Sequence, residues 1–274
     1  LSNSCNYFFY ELGHRLYGDS GSTLLYQYSV DIGLTSKTGI DLPGEGESIF
    51  HSEEQFLSNK VDLATASFGQ NFQISPLQLI TAVSAVANGG NLMKPYIVKE
   101  ILDSDGNIVE STEPTVVRQV ISEETSELMC DILETVVSEG TGKNAYVAGY
   151  HIAGKTGTSE KKAKQAETGR NDLRISSFIA FAPADDPQVA VLVILDEPTV
   201  QPVTGGITAA PVIRRIMSDI LPYLGVEPTY TAEELEEKDV SVPEVIGMTK
   251  TEAESALSKV DLDYRVVGDG DTVT

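Results

Sequence analysis

The apolar positions of the chain change their spacing twice. From Leu1 to Leu92 the reading is mostly helical, with segments whose apolar residues recur at intervals of three and four and line one face. Phe8, Leu12 and Leu16 keep that interval after Ser4, and it predicts further helices over Thr23 to Ile32, Gln55 to Ala66 and Leu77 to Ala87. Asn88-Gly89-Gly90 stops the last of these. A hairpin is predicted next, Tyr96 to Leu102 against Ile108 to Ser111, turned at Asp105-Gly106. Ser122 to Val137 returns to helical spacing, with Leu128, Ile132 and Val136 on one face. Three strands follow: Tyr150 to Thr158, Leu173 to Phe181 and Val189 to Leu195. The last is an unbroken apolar run, the pattern of a strand covered on both faces. Pro211 to Leu221 closes the region as a helix.

Beyond Leu224 the pattern thins. Glu227 to Asp239 is acidic, contains Pro228 and reads as a linker. Val240 to Thr274 then gives strand, helix, strand, and stops short of a complete module. The expected organisation is an α+β domain over 1–224, a linker over 225–239 and a partial module over 240–274.

Charge narrows the partners. With 41 acidic against 19 basic residues and a net charge of -22, the chain lacks the Lys and Arg that would neutralise nucleic-acid phosphates. Its cysteines, Cys5 and Cys130, form no C-x-x-C, and His14, His51 and His151 have no metal-ligand spacing, so free thiols and no metal or cofactor are expected. Cys5 is expected to be a small buried filler. No run reaches the ~18 apolar residues of a membrane span, and no signal peptide is visible. Because the chain starts at Leu1 without Met, it is expected to be a piece of a longer protein.

Candidate chemistry begins at Lys155-Thr156-Gly157-Thr158. An apolar run, Tyr150-His151-Ile152-Ala153, leads into a cation, two hydroxyls and a residue without Cβ. Strand alternation puts Lys155 and Gly157 on one face, and Thr156 and Thr158 on the other. Gly157 lets a ligand backbone come close. Three-residue motifs also occur as plain surface turns, so a second feature is needed. Ser4-Cys5-Asn6 supplies it, with a hydroxyl and an amide two positions apart at a helix entrance. Capping alone would also place Ser or Asn there. Other matches fail on context. Lys37-Thr38-Gly39 lies in a stretch that Pro43 and two glycines make a loop. Gly44-Glu45-Gly46-Glu47 carries carboxylates that would repel a phosphate. Gly140-Thr141-Gly142-Lys143-Asn144 lacks the first glycine and the final Ser or Thr of a phosphate-binding loop.

Together, Ser4-Cys5-Asn6 and Lys155-Thr156-Gly157 resemble the S-x-N and K-T-G motifs of the penicillin-recognising serine acyl transferases. Thr38 to Glu45, Ser67 to Gln70, Ser75 to Leu79, Ala87 to Gly90 and Gly140 to Lys143 resemble, in order, the connecting sequence of class B penicillin-binding proteins. Val242 to Thr249 with the helical Glu252 to Leu257 resembles the opening of a PASTA module, as in the Gram-positive division and sporulation members.

The resemblance implies the penicillin-binding transpeptidase (serine β-lactamase-like) fold and D,D-transpeptidase activity that cross-links peptidoglycan. It implies catalytic roles for Ser4, Asn6 and Lys155, and binding of a D-Ala-D-Ala stem peptide or a β-lactam by Thr156, Gly157 and Thr158. The backbone N–H of Thr158 would be half of the oxyanion hole. Family members are anchored by an N-terminal helix at the outer face of the bacterial membrane, which is expected upstream, as is the nucleophilic serine of S-x-x-K. The one S-x-x-K here, Ser159-Glu160-Lys161-Lys162, falls in a polar run to Asp172 that reads as a solvated loop. A D,D-carboxypeptidase or β-lactamase would use the same motifs, but Thr38 to Glu45 and the PASTA-like tail are not expected of a β-lactamase. A non-catalytic wall-binding or scaffold protein of the same fold is the alternative from another class.

Overall fold

The computed structural model describes residues 1–17, 23–238, 242–260, 262, 264–268 and 270–273. Contacts divide the chain into two units, Leu1–Glu227 and Pro228–Thr274.

The first unit opens with helices α1 (Asn6–Tyr17), α2 (Thr23–Asp31), α3 (Glu53–Ser58), α4 (Lys60–Ser67) and α5 (Pro76–Ala87). Periodicity predicted α3 and α4 as one helix. They are two because the Asn59 backbone is extended, and its side chain accepts from the N–H of Val61, which caps a new start. α5 carries a capping box between Ser75 and Gln78, with Pro76 in its first turn. The amide of Gln78 is buried and donates to the carbonyls of Leu34 and Ser36, tying the preceding loop to this helix. Four short strands follow, β1 (Asn91–Met93), β2 (Glu100–Leu102), β3 (Ile108–Ser111) and β4 (Val116–Gln119). β2 and β3 form the predicted hairpin, while β1 and β4 pair in a ribbon too short for an alternating pattern to announce.

Next come α6 (Glu123–Ser138), β5 (Ala153–Glu160), α7 (Lys162–Thr168), β6 (Arg174–Ala182) and β7 (Val189–Asp196). A π turn (Gly205–Ala209) then leads into α8 (Ala210–Tyr223). The three strands form one antiparallel sheet in the order β5-β6-β7. Period-two alternation makes β6 serve two cores. Phe178, Ala180 and Ala182 pack with Ile213, Met217 and Leu221 of α8, while Phe181 packs with Cys130 and Leu133 of α6. Phe178 and Phe181 are wholly buried, and each such side chain stabilises by about 1.5 to 3 kcal/mol.

The strand covered on both faces is therefore β6. β7, expected to be covered in the same way, is covered in part: Val191, Val193 and Leu195 pack on the α8 side and Ala190 on the α6 side, while Ile194 of this edge strand is exposed. Ser176 and Ser177 interrupt β6 and disguised it. Two further expectations fail in the first unit. Phe8 and Leu12 are exposed, and the buried position of α1 is Gly13, which lies against Ser67 of α4. The stretch after Ser159 is not a plain loop, because it holds α7, a helix with no buried residue. Ion pairs substitute for an apolar face: Lys161 binds Asp196 and Glu197, and Lys164 binds Glu197. Lys161 and then Lys164 pull the Glu197 carboxyl down to about 2.

The second unit contains α9 (Ala232–Lys238) and α10 (Lys250–Lys259). α9 falls where a linker was expected. Thr231 and Glu234 cap it reciprocally, a local signal that the acidic composition masked. Thr249 and Glu252 do the same for α10. The strand expected from Val240 starts outside the described residues. Among those described, the only β pairing in this unit is the bridge between Thr249 and Thr272, so the predicted flanking strands are reduced to it.

Candidate active site

β5 is one edge of its sheet, and its outer side forms a wall of a cleft of about 780 Å³. Three other segments close the cleft: Ser4 and Asn6 at the entrance of α1, Ser67 to Gln70 after α4, and Thr141 to Asn144 after α6. The glycines of the π turn form its far side.

Lys155 is the centre of the arrangement. Its Nζ donates to Ser4 Oγ at 2.8 Å and to Thr156, whose carbonyl lies at 3.0 Å and whose Oγ1 lies at 3.3 Å. Burial lowers its pKa from the ordinary lysine value. No carboxylate is found among the described residues lining the cleft, so the charge faces the cavity unneutralised. Strand alternation predicted Lys155 and Thr156 on opposite faces. They meet because β5 has no neighbour on its outer side, so the long lysine side chain folds over the free edge.

Ser4 reaches Lys155 from 151 positions away. It is not part of α1: its φ of 48° places it in the left-handed region, in a turn where its N–H donates to the Leu1 carbonyl at 3.0 Å. The hydroxyl thus faces the lysine instead of capping the helix. Asn6, the first residue of α1, is exposed on the cleft wall. Cys5 between them is exposed, against the expected burial, since the turn that sends Ser4 inward sends its neighbour out.

Thr158 Oγ1 accepts from the N–H of Gly205 at 3.2 Å, which fixes the π turn to β5. The approach is close enough that a Cβ on Gly205 would collide with the Gly157 backbone and the Ser177 carbonyl. Asn144 Nδ2 donates to the Gly206 carbonyl at 2.8 Å, and Thr141 Oγ1 lies 3.1 Å from Thr156 Oγ1. These partners were not assigned from sequence. Gly140 to Asn144 was weighed only as a phosphate loop and as family-like connecting sequence, and Gly205-Gly206 ahead of an apolar helix was not read at all. Lys37-Thr38-Gly39 serves the fold instead: Glu45 accepts from the Thr38 N–H and hydroxyl and the Gly39 N–H, while Lys37 pairs with Glu47.

This architecture is the penicillin-binding transpeptidase fold. Penicillin binding protein 3 of Mycobacterium tuberculosis, solved with aztreonam, superposes with a TM-score of 0.73 at 28% identity, covering 84% of this chain and 51% of that one. The same protein is also known with ampicillin. The chain belongs to the family described as penicillin binding protein transpeptidase domain, whose model matches residues 1–218. Among relatives, it is 44% identical over 269 residues to stage V sporulation protein D of Bacillus subtilis, covering 96% of this chain and 40% of that protein. It is 30% identical over 243 residues to the peptidoglycan D,D-transpeptidase FtsI homolog of Mesostigma viride, covering 84% and 40%. The chain thus spans about two fifths of the length of these relatives. Among the described residues, no helix is long and apolar enough to cross a membrane.

Proposed function

We propose that this chain is the substrate-receiving part of a peptidoglycan D,D-transpeptidase, which acylates a serine lying outside these residues and then passes the acyl group to an amine of a second stem peptide. The observation that carries the reading is the 2.8 Å bond from Lys155 to Ser4 in a cleft whose described lining holds no carboxylate. In the first step the nucleophilic oxygen bonds to the penultimate D-Ala carbonyl carbon, the C–N bond to the terminal D-Ala breaks, and the leaving nitrogen takes up a proton. Ser4 can carry that proton because a hydroxyl accepts and donates at once. Asn6 can donate to a substrate carbonyl. Lys155, Thr156 and Thr158 receive the substrate carboxylate, and Gly157 keeps the strand open to the peptide. The Thr156 carbonyl is turned to the free edge, where it accepts from Lys155. By alternation the Thr158 N–H shares that edge, which supports its part in the oxyanion hole. A β-lactam carries the same carboxylate and acylating carbonyl, so it would occupy the same place.

Penicillin labelling tests the assignment of the nucleophile. No serine among residues 1–274 is expected to form a stable acyl-enzyme with a fluorescent penicillin, because Ser159 lies at the end of β5 and its S-x-x-K lysine is on the exposed α7. In the intact protein the label should map to an S-x-x-K serine outside this stretch. A band surviving denaturing electrophoresis and mapped by mass spectrometry to Ser159 would overturn it.

The tail is proposed to be a partial PASTA module separable from the chemistry, and the upstream part to carry the membrane anchor at the extracytoplasmic face. Its one described core position is Ala253, buried on α10, and so small a core is marginal. Amide hydrogen exchange is therefore expected to be faster in α10 than in β7. Equal protection would mean that the tail is part of the main cooperative unit.

A further inference from the structure

Thr141 stands one hydroxyl further from the substrate position than the groups used above. Its Oγ1 is 3.1 Å from Thr156 Oγ1, which itself accepts from Lys155 Nζ at 3.3 Å. A threonine hydroxyl has one hydrogen to give and two lone pairs. Either hydroxyl can be the donor in the Thr141–Thr156 contact; with Thr141 donating, both lone pairs of Thr156 Oγ1 are engaged, one by Lys155 and one by Thr141, and its own hydrogen is left for the substrate carboxylate. Without Thr141 the Thr156 hydroxyl would rotate, and its hydrogen could turn toward the ammonium.

The main chain of Thr141 is held from two other directions. Its N–H donates at 3.0 Å to the carbonyl of Ser2, in the turn that presents Ser4. Its carbonyl lies against Gly206, where there is no room for a Cβ. Thr141 is thus the point where the Ser4 turn, the Lys155 strand and the π turn meet.

We propose that Thr141 is a positioning residue for acyl transfer, whose hydroxyl fixes Thr156 and, through it, the direction in which Lys155 presents its ammonium. This rests on the transpeptidase reading of the cleft, and it assigns Thr141 no contact with substrate.

The test is the second-order rate of acylation by a fluorescent penicillin in the intact enzyme. Thr141→Val is expected to slow it roughly three- to tenfold, the worth of one neutral hydrogen bond. Thr141→Ser, which keeps the hydroxyl, should restore most of the rate. Placed on a Thr156→Val background, Thr141→Val should cost nothing further, because the path it acts through is already cut. The basic limb of the rate against pH should also move to lower pH in Thr141→Val, since the ammonium has lost a fixed acceptor. Lys143 is the other titratable group among the described residues lining the cleft.

A Thr141→Val enzyme at the parent rate, or a Thr141→Ser enzyme as slow as Thr141→Val, would overturn the proposal. So would a full second loss on the Thr156→Val background, which would place Thr141 against the substrate itself. Melting curves accompany each variant, and Thr141→Ala goes through the same comparison if the valine does not fold. If Lys155→Ala is acylated at the parent rate, the reading of the cleft fails with it. If Lys155→Ala is slow and Thr141→Val is not, only the inference about Thr141 fails.

Discussion

Lys155→Ala in the intact enzyme is expected to lose acylation by a β-lactam about ten- to a hundredfold, the worth of one charge-assisted hydrogen bond to the ligand carboxylate. The substitution removes the half-buried cation that no carboxylate among the described cleft residues neutralises. It also releases Ser4, whose hydroxyl accepts from Lys155. Lys37→Ala is the control. That lysine has the same Thr-Gly after it, but it is paired with Glu47 in a loop stapled by Glu45, and its loss should leave the rate close to the parent. The pH dependence carries a sign. Burial lowers the Lys155 pKa, so the ammonium is lost at a lower pH than for a free lysine, and acylation should fall as pH rises through that lowered value. Below it the charged form prevails and the rate is held. Stopped-flow acylation against pH reads both effects, and equal rates for Lys155→Ala and Lys37→Ala would remove the strand motif from the site.

Gly205→Ala should be the most damaging single methyl group near the site. The added Cβ would meet the backbone of Gly157 and the Ser177 carbonyl, none of which can rotate away as a side chain tip could. Overpacking of this kind costs about 1 to 3 kcal/mol, or roughly 2 to 12 °C of melting temperature for a unit of this size. Acylation should fall further than stability does, because the strain is relieved by pushing the π turn off β5, and a displacement near 1 Å can cost about a hundredfold in rate. Gly46→Ala, with nothing near its Cβ and an ordinary backbone, should change neither quantity. Calorimetry and penicillin labelling of both variants decide it. A Gly205→Ala protein with the parent melting temperature would show that the turn has room to spare.

Much of this site could be read before any fold was known, because its most chemical residues stand in unusual company. A lysine at the end of an apolar run, followed by hydroxyls around a glycine, also occurs in plain turns, but the apolar run before it marked a strand, and Lys155 to Thr158 does lie on a strand at a cleft. Ser4 and Asn6 stood out only through the S-x-N resemblance, since capping alone would place such residues there, and the structure brings Ser4 onto Lys155. What was hidden is what depends on partners far along the chain. Thr141 and Asn144 look like any loop residues until Thr156 and Gly206 are brought beside them. The place of β7 at the edge depends on strand order, which an apolar run does not encode. Helices α7 and α9 were missed because local charge and capping hold them without the apolar face that periodicity detects.

The bond between Ser4 and Lys155 joins positions 151 apart, with every helix from α1 to α6 in between. Closing a loop of that length spends conformational entropy that neither end recovers alone. The Ser4–Lys155 arrangement is therefore the property of the whole cooperative unit, and it exists only in those molecules whose unit is closed. A substitution far from the cleft, in the packing of α4 on α1 or of α8 on β6, that opens one end of this span removes competent sites in proportion to the molecules it opens. On the proposed reading, β-lactam bound by the intact enzyme would count folded molecules as much as active ones.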